Sequence, residues 1–126
     1  MREAIHEERP SGLPLSAAVR GPGVLYLSGQ VALDPATGRL IQADVAAQTE
    51  RTLENIRTLL ESAGASMDDV LRVGIFLTSM ESFQAMNAVY ARYFRQPFPA
   101  RTTVAVRELP LGAAVEIEMT VADRRR

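Results

Sequence analysis

Two stretches near the C-terminus alternate apolar and polar residues with a period of two, the spacing at which successive side chains of a strand point to opposite faces. In A-V-E-I-E-M-T-V, Val115, Ile117, Met119 and Val121 form an inward set, and Glu116, Glu118 and Thr120 the opposite one. In R-T-T-V-A-V-R, Thr102, Val104 and Val106 form the inward set and leave Arg101, Thr103, Ala105 and Arg107 on the other face. The pattern predicts strands over about 101–107 and 114–122, joined through R-E-L-P-L-G-A as an antiparallel hairpin. Further upstream, V-L-Y-L-S-G-Q-V-A (24–32) is rich in aliphatic, aromatic and β-branched residues and runs into the turn cluster D-P-A-T-G. It reads as a strand, preceded by another near Ala17–Arg20 across Gly21-Pro22-Gly23.

Between these strands the period lengthens. Leu53, Ile56, Leu60 and Ala63 recur at three- and four-residue steps, with Asp44 placed to cap the start and Gly64 to end the run. A helix over 45–63 follows. D-D-V-L-R-V-G-I-F-L-T (68–78) returns to strand character. Phe83, Met86, Val89, Tyr90 and Phe94 then predict a second helix over 81–95, ended by Pro97 and Pro99. The order is β-β-α-β-α-β-β, with a minor strand near Leu40–Ile41. It implies an α+β sandwich in which two helices cover one face of a single sheet. The 126 residues suit one domain, 1–126, without a linker.

On this alternation Arg101 and Glu116 share the face turned away from the helices, together with Tyr26, Ser28 and Gln30. A wet, charged face is the ordinary reading for such a sheet. Yet Ala105, Gly74, Phe76 and Tyr26 on or near it are small or aromatic, which suits a covered surface and implies a second chain. An arginine there offers a planar fork for a carboxylate, and a partly desolvated glutamate can exchange a proton or orient a water. The pair describes a pocket for a small carboxylate attacked by water, or simply an ion pair.

Composition narrows the chemistry. The chain has no Cys, its fourteen Lys+Arg residues are all Arg, and its single His6 stands near the N-terminus. That leaves no thiolate, no lysine Schiff base, no Walker lysine, and no convincing Ser-His-Asp triad or His/Cys metal site. A net charge of −1 with both signs scattered gives no general attraction for nucleic acid or an anionic membrane. The only basic cluster, Arg124-Arg125-Arg126, reads as a solvated end. A charged N-terminus without an apolar run, and no segment long enough to span a bilayer, predict a soluble cytoplasmic protein.

The stretch F-P-A-R-T-T-V-A-V-R-E-L-P-L-G-A-A-V-E-I-E-M (98–119) resembles the C-terminal signature of the YjgF/RidA family of enamine/imine deaminases. The likeness extends over about 14–122, through S-G-Q (28–30), D-P-A-T-G (34–38), T-L-E-N-I (52–56), V-G-I-F-L (73–77) and M-N-A-V-Y-A-R-Y-F (86–94). The resemblance implies a chorismate-mutase-like fold assembled as a homotrimer, with open sheet faces forming a central barrel and three sites between subunits. It implies hydrolysis of reactive 2-enamines and 2-imines, such as 2-aminoacrylate, to 2-keto acids and ammonia, with no metal or organic cofactor.

By position, Arg101 matches the family's carboxylate-binding arginine and Glu116 the glutamate that places or activates water. Ser28 and Asn87 match pocket residues, and Thr103 falls where the family binds substrate through its main chain. Each also has a structural alternative: Arg101 and Glu116 as packing or pairing ions, Ser28 as a small residue before Gly29, Asn87 as a helix-surface residue. Tyr90, Tyr93 and Phe94 read as packing.

Two departures from the family pattern stand out. Leu15, in G-L-P-L-S, occupies the place of a tyrosine, and Thr103 that of a cysteine. Competing readings are a carboxylate- or 2-keto-acid-binding regulatory trimer, and a ribonuclease or translation inhibitor. The second is disfavoured by an acidic chain without lysine.

Overall fold

The computed structural model describes residues 2–5 and 12–124. Six strands form one sheet: β1 (Glu3–Ile5), β2 (Ala18–Gly21), β3 (Val24–Gln30), β4 (Val70–Leu77), β5 (Ala100–Ala105) and β6 (Val115–Ala122). Two α-helices accompany them, α1 (Val45–Ser62) and α2 (Phe83–Tyr90). The spatial order is β1-β2-β3-β6-β4-β5. All neighbours are antiparallel except β4 and β5, which run parallel.

The inward set of β6 is fully enclosed: Val115, Ile117 and Val121 have no exposed surface and Met119 is 3% exposed. These side chains meet Leu25 and Leu27 of β3, Val73, Ile75 and Leu77 of β4, Leu53, Ile56 and Leu60 of α1, and Met86 of α2 in one core. Burying a side chain of this size stabilises by about 1.5–3 kcal/mol, so the central strands and α1 form the most strongly held part of the chain.

Helix α1 begins where Asp44 Oδ1 accepts the Ala47 N–H at 2.9 Å. Its buried Gln48 donates to Ala43 O and accepts the Ala114 N–H, both at 2.9 Å, which ties the helix start to the approach to β6. Thr49 and Thr52 satisfy their buried hydroxyls by donating to Val45 O and Gln48 O one turn back.

Several expectations from the sequence need correction. The last two strands are not a hairpin: β6 inserts between β3 and β4, and β5 lies at the sheet edge beside β4. This gives the apolar set of β6 buried neighbours on both sides, Leu25 and Leu27 of β3 and Val73, Ile75 and Leu77 of β4. The faces of β5 are also reversed. Arg101 stands opposite Val73 and Thr103 opposite Ile75, so these side chains share the helix-facing side, whereas Thr102 and Val104 pair with Gly74 and Phe76 on the open side.

In β3 a register shift between Leu27 and Gln30 sets Gln30 against the buried Ile117, removing it from the face of Tyr26. Helix α2 ends at Tyr90, and the chain continues in turns towards Pro97 instead of remaining helical to Arg95. The minor strand is a single bridge, Leu33 to Leu40. β1, pairing with β2, was not foreseen.

His6, Arg125 and Arg126 lie outside the described residues. Arg124 pairs with Asp69. No helix among the described residues is long and apolar enough to cross a membrane.

Candidate functional site

Arg101 follows from its place on β5. The parallel pairing with β4 turns its side chain towards α2, where the guanidinium lies 4.6 Å from the centroid of the Tyr90 ring and 5.7 Å from that of Phe83. Two ring faces hold the cation by cation–π attraction and limit its rotamers. Among the described residues, no carboxylate stands within ion-pair distance of it. A partly buried cation in this situation favours an anionic ligand. Burial raises the Tyr90 pKa, against an opposing pull from Arg101, so the ring stays a neutral phenol at physiological pH.

Arg101 lines a cavity of about 290 Å³ together with Asn87, Tyr90, Ala91, Phe98 and Pro99. Thr103 follows two residues along the same face. Val106 N–H donates to Leu77 O at 2.7 Å, and alternate residues of a parallel strand turn both backbone groups to the same neighbour. The N–H and C=O of Thr103 therefore point to the unpaired edge of the sheet, available to a ligand. Its hydroxyl oxygen is buried and has no hydrogen-bond partner among the described residues.

Glu116 lies on the opposite face, paired with Phe76 of β4. Its carboxylate sits over Gly29: a Cβ at that position would stand 2.4 Å from Oε2. The next acid on the same face, Glu118, packs likewise over Gly74, where a Cβ would meet its Cγ at 2.9 Å. The two glycines are gaps that the two carboxylate side chains fill. Burial, and then the repulsion of Glu118, raises the pKa of Glu116 above the ordinary carboxylate range.

Ser28 precedes Gly29 and lines a second cavity, of about 380 Å³, that also includes Leu15, Ser16 and Tyr26. Its hydroxyl donates to Ser16 O at 2.7 Å, and its N–H to Ala17 O at 2.9 Å. The proton of that hydroxyl is thus committed to fastening the 15–17 segment, and the oxygen remains able to accept a bond.

The candidate residues therefore separate into two groups. Arg101, Asn87 and Thr103 gather at the β5–α2 edge, and Leu15 and Ser28 gather at the other cavity with Glu116 beside Gly29. Arg101 and Glu116, expected on one face, occupy opposite ones. Sequence reading missed Phe98 as a cavity wall, Phe83 and Tyr90 as the bed of Arg101, and the seating of Glu116 on Gly29. An S-G-Q triplet at a strand end was the one visible signal for the last. Among the described residues, no group of three or more His, Cys, Asp or Glu side chains is placed to hold a metal ion.

Residues 6–123 match the family model described as Endoribonuclease L-PSP. A RutC family protein of Pyrococcus horikoshii is 42% identical over 121 residues, covering 94% of this chain and 95% of the relative. A Dermatophagoides farinae protein named 2-iminobutanoate/2-iminopropanoate deaminase is 39% identical over 108 residues, 86% of this chain and 84% of the relative. Among solved structures, RidA from an Antarctic Psychrobacter species superposes with a TM-score of 0.84 at 35% identity, covering 94% of this chain and 93% of that one. Escherichia coli TdcF, solved with bound serine, gives 0.85 at 30% identity over 95% and 98%. The paired glycine gaps, the aromatic-bedded arginine and the six-stranded sheet thus belong to a member of the endoribonuclease L-PSP family, that of the RidA and YjgF proteins.

Proposed function

We propose that the protein hydrolyses 2-imino acids and their enamine tautomers to 2-keto acids and ammonia. The observation that carries this reading is Arg101: a guanidinium fixed over two aromatic rings, without a carboxylate partner among the described residues, at the wall of a cavity of small-molecule size. Its fork would take the substrate carboxylate. The exposed backbone groups of Thr103 and the amide of Asn87 would orient the rest.

Water adds to the electrophilic imine carbon, forming a C–O bond. Loss of the C–N bond then releases ammonia and leaves the carbonyl, so that R–C(=NH)–COO⁻ and H₂O become R–CO–COO⁻ and NH₃. Glu116, whose pKa is raised by burial and by the neighbouring Glu118, would position this water and pass its proton to the departing nitrogen. Holding reactants in this alignment is worth far more than any single polar contact, and the chemistry requires neither a lysine nor a thiol.

Since Arg101 and Glu116 lie on opposite faces of one sheet, the reading requires a second copy of the chain. A homotrimer in which the β5–α2 edge of one subunit abuts the Ser28–Glu116 face of the next would complete three sites and cover the exposed Tyr26 and Val104. A ribonuclease reading has the family description in its favour, but a chain of net charge −1 lacks the basic surface that phosphate binding demands.

The test is release of pyruvate and ammonia from 2-aminoacrylate generated in situ by a serine dehydratase, measured against the spontaneous rate. Acceleration by the wild type, with loss of roughly 10- to 100-fold in Arg101→Ala, supports the reading. A wild-type rate equal to background over several imino acids, with 2-keto acids still bound, would favour a regulatory binding trimer instead.

A further inference from the structure

The bed of Arg101 is itself held from outside the cavity. Tyr90, 6% exposed, carries the guanidinium at 4.6 Å, whereas Phe83 stands at 5.7 Å. The same Tyr90 ring meets Phe94, centroid to centroid at 4.6 Å with the planes inclined by 33°. Phe94 is not among the residues that line the cavity. It returns to Tyr90 because the chain beyond α2 keeps turning, with Arg92 N–H donating to Val89 O at 3.0 Å and Tyr93 N–H to Tyr90 O at 2.9 Å.

That turn is fastened at two points. The Tyr93 hydroxyl donates to Glu54 Oε2 of α1 at 2.6 Å, and Arg57, paired with the same carboxylate at 3.2 Å, lies 5.0 Å from the Tyr93 ring centroid. On the other side of Phe94, Arg95 grips both carboxylate oxygens of Asp68, at 3.2 and 2.6 Å. The first contact is partly buried and the second exposed, so Tyr93 carries most of the restraint. Glu54 and Tyr93 are residues of T-L-E-N-I and M-N-A-V-Y-A-R-Y-F that the imine chemistry leaves without a task.

We propose that Phe94, from outside the cavity, is a positioning residue for Arg101 and acts through the Tyr90 ring; this rests on Arg101 being the substrate-carboxylate clamp of the deaminase reading. An arginine side chain has several freely rotating bonds, and a carboxylate that meets it unordered must bear the cost of fixing them. Tyr90 removes part of that cost in advance by offering a ring face to the guanidinium, provided its own ring stays put. The aromatic that stacks on Tyr90 is Phe94. Loss of the Phe94 ring therefore loosens Arg101 without removing any group from the cavity wall. Its signature is weaker carboxylate binding that depends on Arg101 being present.

Calorimetry measures pyruvate binding to wild type, Phe94→Leu, Tyr90→Leu and Tyr90→Phe, with folding checked by urea unfolding. Kd is expected to rise roughly 3- to 10-fold in Phe94→Leu, the range for one aromatic pair, and at least as much in Tyr90→Leu. It should stay within about twofold of wild type in Tyr90→Phe, which keeps the ring. Turnover of the imine generated from alanine by an L-amino-acid oxidase with catalase then closes a double-mutant cycle: Phe94→Leu should cost nothing further in kcat/KM in an Arg101→Ala background. The same loss in both backgrounds, wild-type affinity in folded Phe94→Leu, or a Tyr90→Phe variant as weak as Tyr90→Leu overturns the proposal and leaves the deaminase reading intact.

Should Phe94→Leu not fold, Tyr93→Phe takes its place, since it keeps both rings and removes only the hydrogen bond to Glu54. A Kd raised roughly 2- to 5-fold in that variant supports the proposal, and an unchanged one overturns it. A wild type that binds pyruvate but hydrolyses no imine ends the deaminase reading, and the affinities alone then decide. A wild type that binds no pyruvate removes the clamp and the proposal with it.

Discussion

The Glu116 carboxylate rests in space that a side chain at Gly29 would need, since a Cβ there would reach within 2.4 Å of Oε2. The bulge in β3 and the acid in β6 are thus one unit: the glycine sets where the carboxylate rests. Gly29→Ala should push Glu116 out of its seat. We expect kcat to fall at least 10-fold, with a stability loss of about 1–3 kcal/mol typical of overpacking, measured by urea unfolding alongside turnover. Wild-type turnover in Gly29→Ala would show that the seat is irrelevant to chemistry.

Glu118 stands in the same row and raises the pKa of Glu116 by repulsion. Glu118→Gln removes that cause and leaves burial, so the Glu116 pKa drops towards the ordinary range. If the ionised form assists water, the acid limb of the kcat/KM profile moves to lower pH in this variant. An unmoved limb assigns the profile to another group.

The same shift has a stability consequence of definite sign. A carboxyl whose pKa is raised by folding favours the fold in its protonated form, so that contribution is present below the unfolded pKa, about 4.3 for Glu, and is lost as pH rises through the folded value. Glu116→Gln, which cannot ionise, should be at least as stable as wild type at pH 7. Its advantage should vanish near pH 4, as read from Tm across that interval.

Arg101→Lys retains the charge but not the planar fork, and a lysine ammonium is held less well over two rings. It should recover little of the loss seen in Arg101→Ala, with the deficit mainly in KM. Near-wild-type KM in the lysine variant would mean that charge alone recruits the substrate.

Asp44→Ala is a control at a residue that lines neither cavity. Loss of the cap on the Ala47 N–H should destabilise by about 1 kcal/mol and leave kcat and KM unchanged. Chemical denaturation and steady-state kinetics on the same preparation check both halves.

How much of this was legible in the chain depended on whether a signal was local. α1 and the inward set of β6 were readable because capping by Asp44 and the period-two burial of Val115 to Val121 are local properties. The partner of β5 was not, since strand pairing is a long-range choice, and a connecting segment of hairpin length invites the wrong answer. That error carried the faces with it: once β5 joins β4 in parallel, Arg101 turns to α2. Arg101 and Glu116 were singled out by strand alternation and the other candidate residues by family likeness, whereas their division into two groups emerged only from the topology. Phe98 had no signal of its own, as its exposure depends on turns after α2 that the helical spacing of Phe94 concealed.

Placement of Arg101 and Glu116 on opposite faces has a genetic corollary on the proposed assembly. Each catalytic unit would draw its arginine from one polypeptide and its glutamate from the next. Two inactive alleles, one altered at Arg101 and one at Glu116, would therefore rescue each other when co-expressed, with about one quarter of the seams in randomly mixed rings inheriting both intact residues. Two alleles defective at the same position would never do so.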